Sequence, residues 1–390
     1  MKPFIIGVPR ERKEKEGRVG MTPDGVRQAL GVHSCIEVHV ECRAGVLSGF
    51  SDKEYLEAGA VLVNDVVELY QCASMIVKVK EPIPEEYPLL QFLKHKTLFT
   101  YLHLAGVDPE LTFQLLQHQV TSVAYETVER IEGTKHTLPL LVPMSIIAGT
   151  QGARQGILAA HQKGCESPHV VIIGGGVVGE AALREAIEKR VASVSLFELR
   201  RERVCALRKQ YRTLRGVDQT KISFMTMESM NGKRGVAALA GAHVVVSAVL
   251  NPGGPEAPKV LNAGHFAQMR QGCYIVDVAI DQGGSTEWSR QTKPGQTYEQ
   301  GGLIFSCTAN IPGSTVPREA TLALTKETLP YVLLFAQHAE HSPSGWVLLN
   351  NHKDIRSGLQ TWLGYVMNRF VSEKHNLNDQ YRPLECFFGN

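Results

Sequence analysis

No apolar run in this 390-residue chain approaches the roughly 18 residues that a membrane-crossing helix requires, so no transmembrane span is expected. Cys-x-x-Cys pairs are also missing. The 8 cysteines, at positions 35, 42, 72, 165, 205, 273, 307 and 386, are scattered, which argues against a zinc site or a disulfide framework. They read as reduced, mostly packed thiols of a cytoplasmic protein. Charge of one sign is not in excess: the net charge is +2 with acids and bases interspersed, so no nucleic-acid footprint is expected. Low-complexity tracts and internal repeats are absent. The N-terminal stretch Met1–Arg10 enters a strand-like segment without a signal peptide's long apolar region, so no secretion leader is expected. What remains is an ordinary globular composition, 43% hydrophobic and 21% charged, on a chain too long for one compact core. Two domains are the natural expectation.

One stretch organises the chain. Val170–Ile173 is a short apolar run of the kind that forms a strand buried on both faces. It leads directly into Gly174-x-Gly176-x-x-Gly179, and Glu180–Lys189 then has helical composition. The first glycine permits the tight turn, the second lets backbone approach a pyrophosphate, and the third allows the helix to lie close to the strand. The phosphates would rest on the N–H groups of the helix N-terminus. A second apolar run, Ala192–Phe197, ends at Glu198, nineteen positions beyond Gly179. A dinucleotide fold places an acid there to accept hydrogen bonds from the adenosine ribose. A carboxylate at that point selects NAD and repels the 2′-phosphate of NADP. Arg200, Arg201 and Arg203 follow at once and could neutralise that phosphate, or simply form a solvated helical turn; NAD is the favoured reading.

Elsewhere strands and helices alternate, which implies parallel sheets. Strands are expected at Phe4–Val8, Ile36–Val40, Met75–Val79, Leu98–Leu102 and Val120–Tyr125. Thr22-Pro23 starts a helix with a cap and a proline at the first helical position, and Ser51–Glu54 is a capping box. The charged loop Pro9–Gly20 reads for the most part as solvated. Leu138–Gln162 has helical spacing, interrupted or softened by Gly149, Gly152 and Gly156, and would bridge the two units. Later strands are expected at Ile222–Met225, His243–Ala248 and Cys273–Val278. Helices follow at Arg318–His338 and Asp354–His375, and Asn376–Asn390 has no strong pattern. The fold class is therefore α/β: two Rossmann-like doubly wound parallel-sheet domains with a cleft between them. Residues 1–137 with 311–390 would form the substrate domain and 138–310 the NAD-binding domain.

In open parallel sheets ligands bind beyond the carboxyl ends of the strands. That rule selects Lys80, His103 and Asp281. Each also has a plain structural reading: a surface lysine, a polar residue at a strand end, and a turn former before Gly283-Gly284.

At these residues the chain resembles the alanine dehydrogenase family, whose relatives include the NAD-binding domain of proton-translocating transhydrogenase. The matching stretches are Gly17–Pro23, Val77–Pro82, Leu98–Leu104, Ala124–Thr127, Leu140–Ser145, the glycine loop, Val276–Gly284 and Ala309–Pro312. They run in order through nearly the whole chain. The resemblance implies that Arg18 grips the substrate carboxylate, a bidentate task suited to guanidinium. It implies that Lys80 holds the keto-acid oxygens, that His103 lies beside the reacting carbon, and that Asp281 moves protons and steadies the ammonium. Met144, Ser145 and Asn310 would meet the nicotinamide end. Val177 and Val178 in the glycine loop, with Val249 and Leu250 past a strand end, complete the expected cofactor set beside Gly174, Gly176, Gly179 and Glu198. The implied reaction is reversible oxidative deamination of L-alanine to pyruvate and ammonium, with hydride passing to NAD. Because Asp281 loses its charge at low pH, deamination should run best on the alkaline side. A cytoplasmic homo-oligomer, usually a hexamer, is implied as well, with no metal.

The chain also departs from that family's pattern. Lys163–Pro168 is much shorter than the glycine-rich extension usual there, Ile146 replaces an acidic residue, and 251–255 and 312–316 are each a residue longer. These changes leave open two other readings. One is a relative acting on another amino or keto acid, such as an opine- or saccharopine-type imine reductase. The other is a module that holds NAD without turning over a substrate.

Overall fold

The computed structural model of the protein describes residues 3–133, 135–212, 218, 221–250, 256–338 and 346–387. The chain forms two compact units, Met1–Pro143 with Val316–Asn390, and Met144–Thr315.

In the first unit six strands lie parallel: β1 (Phe4–Val8), β2 (Ile36–Glu41), β3 (Val61–Val63), β4 (Met75–Val77), β5 (Thr97–Thr100) and β6 (Thr121–Ala124). Their order in the sheet is β6-β5-β4-β1-β2-β3. A small antiparallel hairpin, β7 (Arg130–Glu132) with β8 (Lys135–Thr137), follows. The sequence reading made Asp354–His375 one helix, and this is corrected by the structure. A short helix, Lys353–Ser357, stops at Gly358; the strands Leu359–Trp362 and Tyr365–Val366 follow, and only Arg369–Lys374 is helical again. Leu359–Trp362 is wholly buried and pairs antiparallel with β6, and Tyr365–Val366 pairs antiparallel with it in turn, so the two extend the sheet to eight strands. Glycines at 358 and 364 divide the segment into pieces too short for a stable helix, and Gly364 takes a positive φ of 83° that a helix does not accept. Burial of the strand against β6 outweighs local helical composition. Leu90, Leu98, Leu111, Leu115 and Val120 are among the fully buried side chains of this unit's core.

The second unit holds β9 (His169–Ile173), β10 (Ser193–Glu198), β11 (Ile222–Thr226), β12 (Val244–Ser247), β13 (Tyr274–Asp277), β14 (Tyr298–Gln300) and β15 (Leu303–Ser306). They pair in the order β11-β10-β9-β12-β13-β15-β14, all parallel except β14. The last two strands are not legible in the sequence: they are short, and β14 lies at the edge half-exposed. The order reverses between β9 and β12, and a doubly wound sheet binds ligands beside such a switch point. The helix Val142–Gln162 is continuous, so its glycines do not interrupt it. They let it lie close to its neighbours: a Cβ added at Gly149 would sit 2.0 Å from the Val178 carbonyl oxygen. All 8 cysteines are free thiols. Among the described residues no helix is long and apolar enough to cross a membrane.

Candidate active site

The second unit's site is built by β9 and the turn after it. Gly174 has φ 98°, and a Cβ there would lie 2.5 Å from the Ala248 carbonyl oxygen. At Gly179 a Cβ would lie 1.8 Å from the Gly174 carbonyl oxygen, so only glycine lets the helix Val177–Glu188 start this close to its strand. Gly176 meets nothing within 4 Å and faces open space. It caps the helix without any side-chain hydrogen bond, so the first turn is left for an outside acceptor. A pyrophosphate fits this arrangement: a tight turn, a bare helix start and room in front of it. Val177 in the first turn is exposed and Val178 is half-buried.

Glu198 ends β10 and is buried. Its Oε2 accepts the Gly175 N–H at 2.8 Å, and its Oε1 accepts the Arg200 N–H at 3.0 Å and the Arg200 Nε–H at 3.3 Å. Burial works to raise its pKa, but these donors and the Arg200 charge hold it below the ordinary carboxylate value. All three following arginines are already engaged. Arg201 pairs with Glu228 at 2.9 Å, and Arg203 donates to Glu180 at 2.6 Å and to the Gly175 carbonyl at 2.8 Å. Val249 and Leu250 follow β12 on the other side of the switch point, and Leu250 is exposed. Met144 and Ser145 open this unit's part of the helix Val142–Gln162.

Asp281 lies on the 3-10 turn Val278–Gln282 just after β13 and is exposed. Both its oxygens accept the Asn310 backbone N–H, at 3.1 and 3.3 Å, and Asn310 itself takes a left-handed φ of 51°. The turn is seated by Asp277, which is fully buried. Asp277 accepts the N–H groups of Ala279 at 3.0 Å and Ser285 at 2.7 Å, and the hydroxyls of Ser285 and Ser289. The second unit thus joins Asp281 to Asn310.

The first unit's site collects at the ends of β4, β5 and β6. Here the solvated reading of Pro9–Gly20 fails for three of its charged residues: Glu11, Glu16 and Arg18 are buried. Arg18 donates to Glu16 through Nε at 2.7 Å, Nη2 at 2.5 Å and its own backbone N–H at 2.9 Å. Burial opposes the Glu16 carboxylate, yet Arg18 and then Lys80 bring its pKa down to about 2. Glu81, also buried, bonds Lys13; burial is again outweighed, by Lys80, His103 and Lys13, and its pKa is lowered. These shared carboxylates place Arg18, Lys80 and His103 in one electrostatic neighbourhood.

His103 follows β5 with a left-handed φ of 48°. Its ring stacks on Tyr101 with centroids 5.7 Å apart and planes at 4°. Glu126, on the turn after β6, accepts the His103 N–H at 2.6 Å and the Leu102 N–H at 3.2 Å, and its Oε1 lies 3.8 Å from Nδ1 of His103. Burial lowers the imidazole's pKa; Lys80 and Lys13 add to that, while Glu126 and Glu81 oppose it. The neutral ring is therefore the resting form at neutral pH.

A buried ion cluster lies next to Lys80. Lys78 is fully buried, bonds Glu86, and sits 3.9 Å from Glu11. Burial works against the ammonium, but Glu11, Tyr70 and Glu86 keep its pKa above the ordinary lysine value. Burial pushes Glu11 up to about 7, with Lys78 pulling the other way. Sequence reasoning assigned no role to Glu11, Lys78, Glu86, Glu126 or Asp277. Glu126 and Asp277 lie inside stretches that carry the family resemblance, but nothing in their spacing marks them as acceptors of backbone N–H groups. The loop 251–255 lies outside the described residues, whereas most of 312–316 is the helix Ile311–Thr315.

The family model "Alanine dehydrogenase/PNT, N-terminal domain" matches residues 7–148, and "Alanine dehydrogenase/PNT, C-terminal domain" matches residues 146–369. The chain belongs to the alanine dehydrogenase/PNT family. It is 39% identical to an alanine dehydrogenase of Bacillus subtilis, over 98% of this chain and 97% of that protein. It is 37% identical to an alanine dehydrogenase of Methanococcus maripaludis, over 98% and 99% respectively. A solved structure of L-alanine dehydrogenase superposes with a TM-score of 0.82 at 35% identity, over 96% of this chain and 99% of that one. A transhydrogenase from Sinorhizobium meliloti, at 19% identity and TM-score 0.74, shares the fold. The shortened Lys163–Pro168 segment leaves the match continuous across both domains.

Proposed function

We infer that the protein is an NAD-dependent L-alanine dehydrogenase, interconverting L-alanine, water and NAD with pyruvate, ammonium and NADH. The observation that carries this reading is that one unit holds two cations and a neutral imidazole on neighbouring segments: Arg18 bonded to Glu16, Lys80 with its N–H on Glu11, and His103 with its N–H on Glu126. Such a set suits a small 2-keto acid: a carboxylate for the guanidinium, a carbonyl oxygen for the ammonium, and a base for the water that adds. NAD would lie along Gly174, Gly176, Val177, Val178 and Gly179, with its ribose on Glu198. Met144, Ser145, Val249, Leu250 and Asn310 would hold the nicotinamide end. When bound, NAD accepts the hydride that leaves Cα of alanine. The engagement of Arg200, Arg201 and Arg203 with carboxylates supports NAD over NADP.

In deamination, Glu16 fixes the plane of the Arg18 guanidinium, which grips the substrate carboxylate. Lys80 stabilises the oxygen that develops on the reacting carbon. His103 takes a proton from water as its oxygen adds to the imine carbon, and returns a proton as ammonia leaves. Asp281, held on the Asn310 N–H, steadies the ammonium. The lowered pKa of His103 means that the base is present from mildly acidic pH upward, so its protonation should slow deamination only at more acid pH. A rate that falls as pH drops through neutrality, before the mildly acidic range is reached, would overturn this assignment.

The test of the function is direct. Purified protein is mixed with NAD and each common amino acid in turn, and NADH absorbance is followed. Turnover with alanine is expected. Turnover confined to larger substrates, or cofactor binding with no turnover, would sink the reading. We also take the protein to be a cytoplasmic homohexamer; sedimentation at micromolar concentration checks the assembly, and a monomer would refute it.

A further inference from the structure

The main chain of Lys80 poses an accounting question, because its segment leaves the sheet before its polar groups do. β1 pairs with β4 only through Ile6 with Met75 and Gly7 with Ile76, and β1 ends at Val8. On the β5 side the next residues are still held: the Val79 carbonyl accepts the Tyr101 N–H at 3.2 Å, and the Lys80 carbonyl accepts the Thr100 hydroxyl at 3.0 Å. On the β1 side no strand continues. There the two oxygens of Glu11 take over, accepting the Val79 N–H at 2.7 Å and the Lys80 N–H at 3.2 Å. A buried N–H left unbonded is costly, so this carboxylate satisfies two consecutive N–H groups where the neighbouring strand has ended.

Glu11 is itself held. Its side chain is 2% exposed, and Lys78 Nζ lies 3.9 Å from Oε2. Lys78 bonds Glu86, whose other oxygen accepts the Ile83 N–H at 3.1 Å. One buried ammonium therefore links two carboxylates, and both grip the same short segment on either side of Lys80. The same device recurs one strand away, where Glu126 accepts the N–H groups of Leu102 and His103.

We propose that Glu11 is a positioning residue for Lys80: its buried carboxylate, clamped by Lys78, fixes the backbone from which the Lys80 side chain reaches the substrate. The proposal rests on the dehydrogenase reading for the role of Lys80, and on geometry alone for the seating of its backbone.

The test compares Glu11→Gln, Glu11→Asp and, as a control, Ser122→Ala, which removes a buried hydroxyl bonded to Thr361 in the same sheet. Gln replaces one acceptor oxygen with an amide NH2, which only donates, and Asp pulls the carboxylate back by one methylene; each leaves at least one N–H unbonded. Two readouts are taken on the full-length protein. In pyruvate amination, kcat/KM for pyruvate should fall about ten- to a hundredfold, the scale of an ångström's misplacement at a reacting group, while KM for NADH stays within about twofold. In amide hydrogen exchange followed by mass spectrometry, peptides spanning 78–83 should exchange at least about tenfold faster than in the unaltered chain, and peptides spanning 121–124 should not change. The Ser122→Ala control should lower Tm without either effect. Unchanged exchange at 78–83 in both Glu11 variants overturns the proposal, whether or not the unaltered protein turns over alanine. So does a loss of pyruvate and NADH affinity together, in step with Tm. Absence of turnover in the unaltered protein, with exchange at 78–83 still accelerated, would instead remove the dehydrogenase reading and leave the seating intact. If Glu11→Gln does not fold, Glu11→Asp carries the same two readouts.

Discussion

The two units solve the binding of charge in opposite ways. Met144–Thr315 offers its proposed ligand mainly backbone: glycines at 174, 176 and 179, a bare helix start, and one carboxylate, Glu198, at the end of a strand. The unit made of 1–143 and 316–390 uses side chains. It therefore buries Glu11, Glu16, Arg18, Lys78, Glu81 and Glu86 close to one another. Buried charges are tolerated only when paired and hydrogen-bonded, so each candidate substrate residue brings others with it. Arg18 needs Glu16, and the segment of Lys80 needs Glu11 with its own partner Lys78. A backbone site makes no such demand, because its dipoles carry no net charge to desolvate. Binding a phosphate thus requires a few small residues at fixed spacing, whereas gripping a small acid in a buried place requires a network.

Four measurements break or sharpen that contrast. The largest effect is expected for His103→Asn, which should lower turnover by about 10²- to 10⁴-fold, the usual worth of a positioned acid or base. NADH affinity, read by fluorescence titration, should stay within about twofold; a parallel loss would mean that the units do not divide the work. Gly179→Ala should have the converse signature. A Cβ 1.8 Å from the Gly174 carbonyl forces the helix off its strand, and NADH affinity should fall about a hundredfold or more, equivalent to about 3 kcal/mol. Retained affinity would show that the glycine spacing is not what admits the cofactor.

The third measurement concerns pH and belongs to the side-chain site alone. Glu16 has a folded pKa of about 2 against an ordinary 4.5, so its contribution to stability is present above 4.5 and is lost as pH falls toward 2. Glu11, raised from 4.5 to about 7, has the opposite sign: its contribution is present below 4.5 and is lost as pH rises through 7. Urea midpoints across that range should fall at both ends, and Glu16→Gln should flatten the acid limb only. An acid limb unchanged by Glu16→Gln would show that the Arg18 pair contributes nothing. The smallest effect is expected at Glu198. Glu198→Gln removes the charge that repels a 2′-phosphate but keeps a hydrogen-bonding group, and should narrow the preference for NAD over NADP by about tenfold. If the preference is unchanged, selectivity resides in Arg200, Arg201 and Arg203 instead.

How far each site was legible follows from the same contrast. The glycine loop was readable to the residue, because its requirement is steric and local: turn, approach and helix packing are all imposed within six positions of chain. Lys80, His103 and Asp281 were also selected, by the rule that ligands sit beyond strand ends. Their partners were not. Glu11 and Glu16 lie in a run of charges that looks like any solvated loop, and only the packing of that loop over the ends of β1 and β4 buries them. The segment 354–375 misled for a related reason. Its composition is helical, but Leu359–Trp362 is taken by the open edge of β6, a partner more than 230 residues earlier in the chain.

Whatever short-range sterics and periodicity impose was decided by the amino-acid order alone: the buried strand, the glycine turn, the acid after the second strand, and the strand–helix alternation that makes both sheets mainly parallel. What only the tertiary structure decided is which polar groups lose their water. That depends on where the sheet ends and which loop covers it, and the answer determines which carboxylates must satisfy N–H groups where a strand has ended and hold the residues proposed to act on substrate.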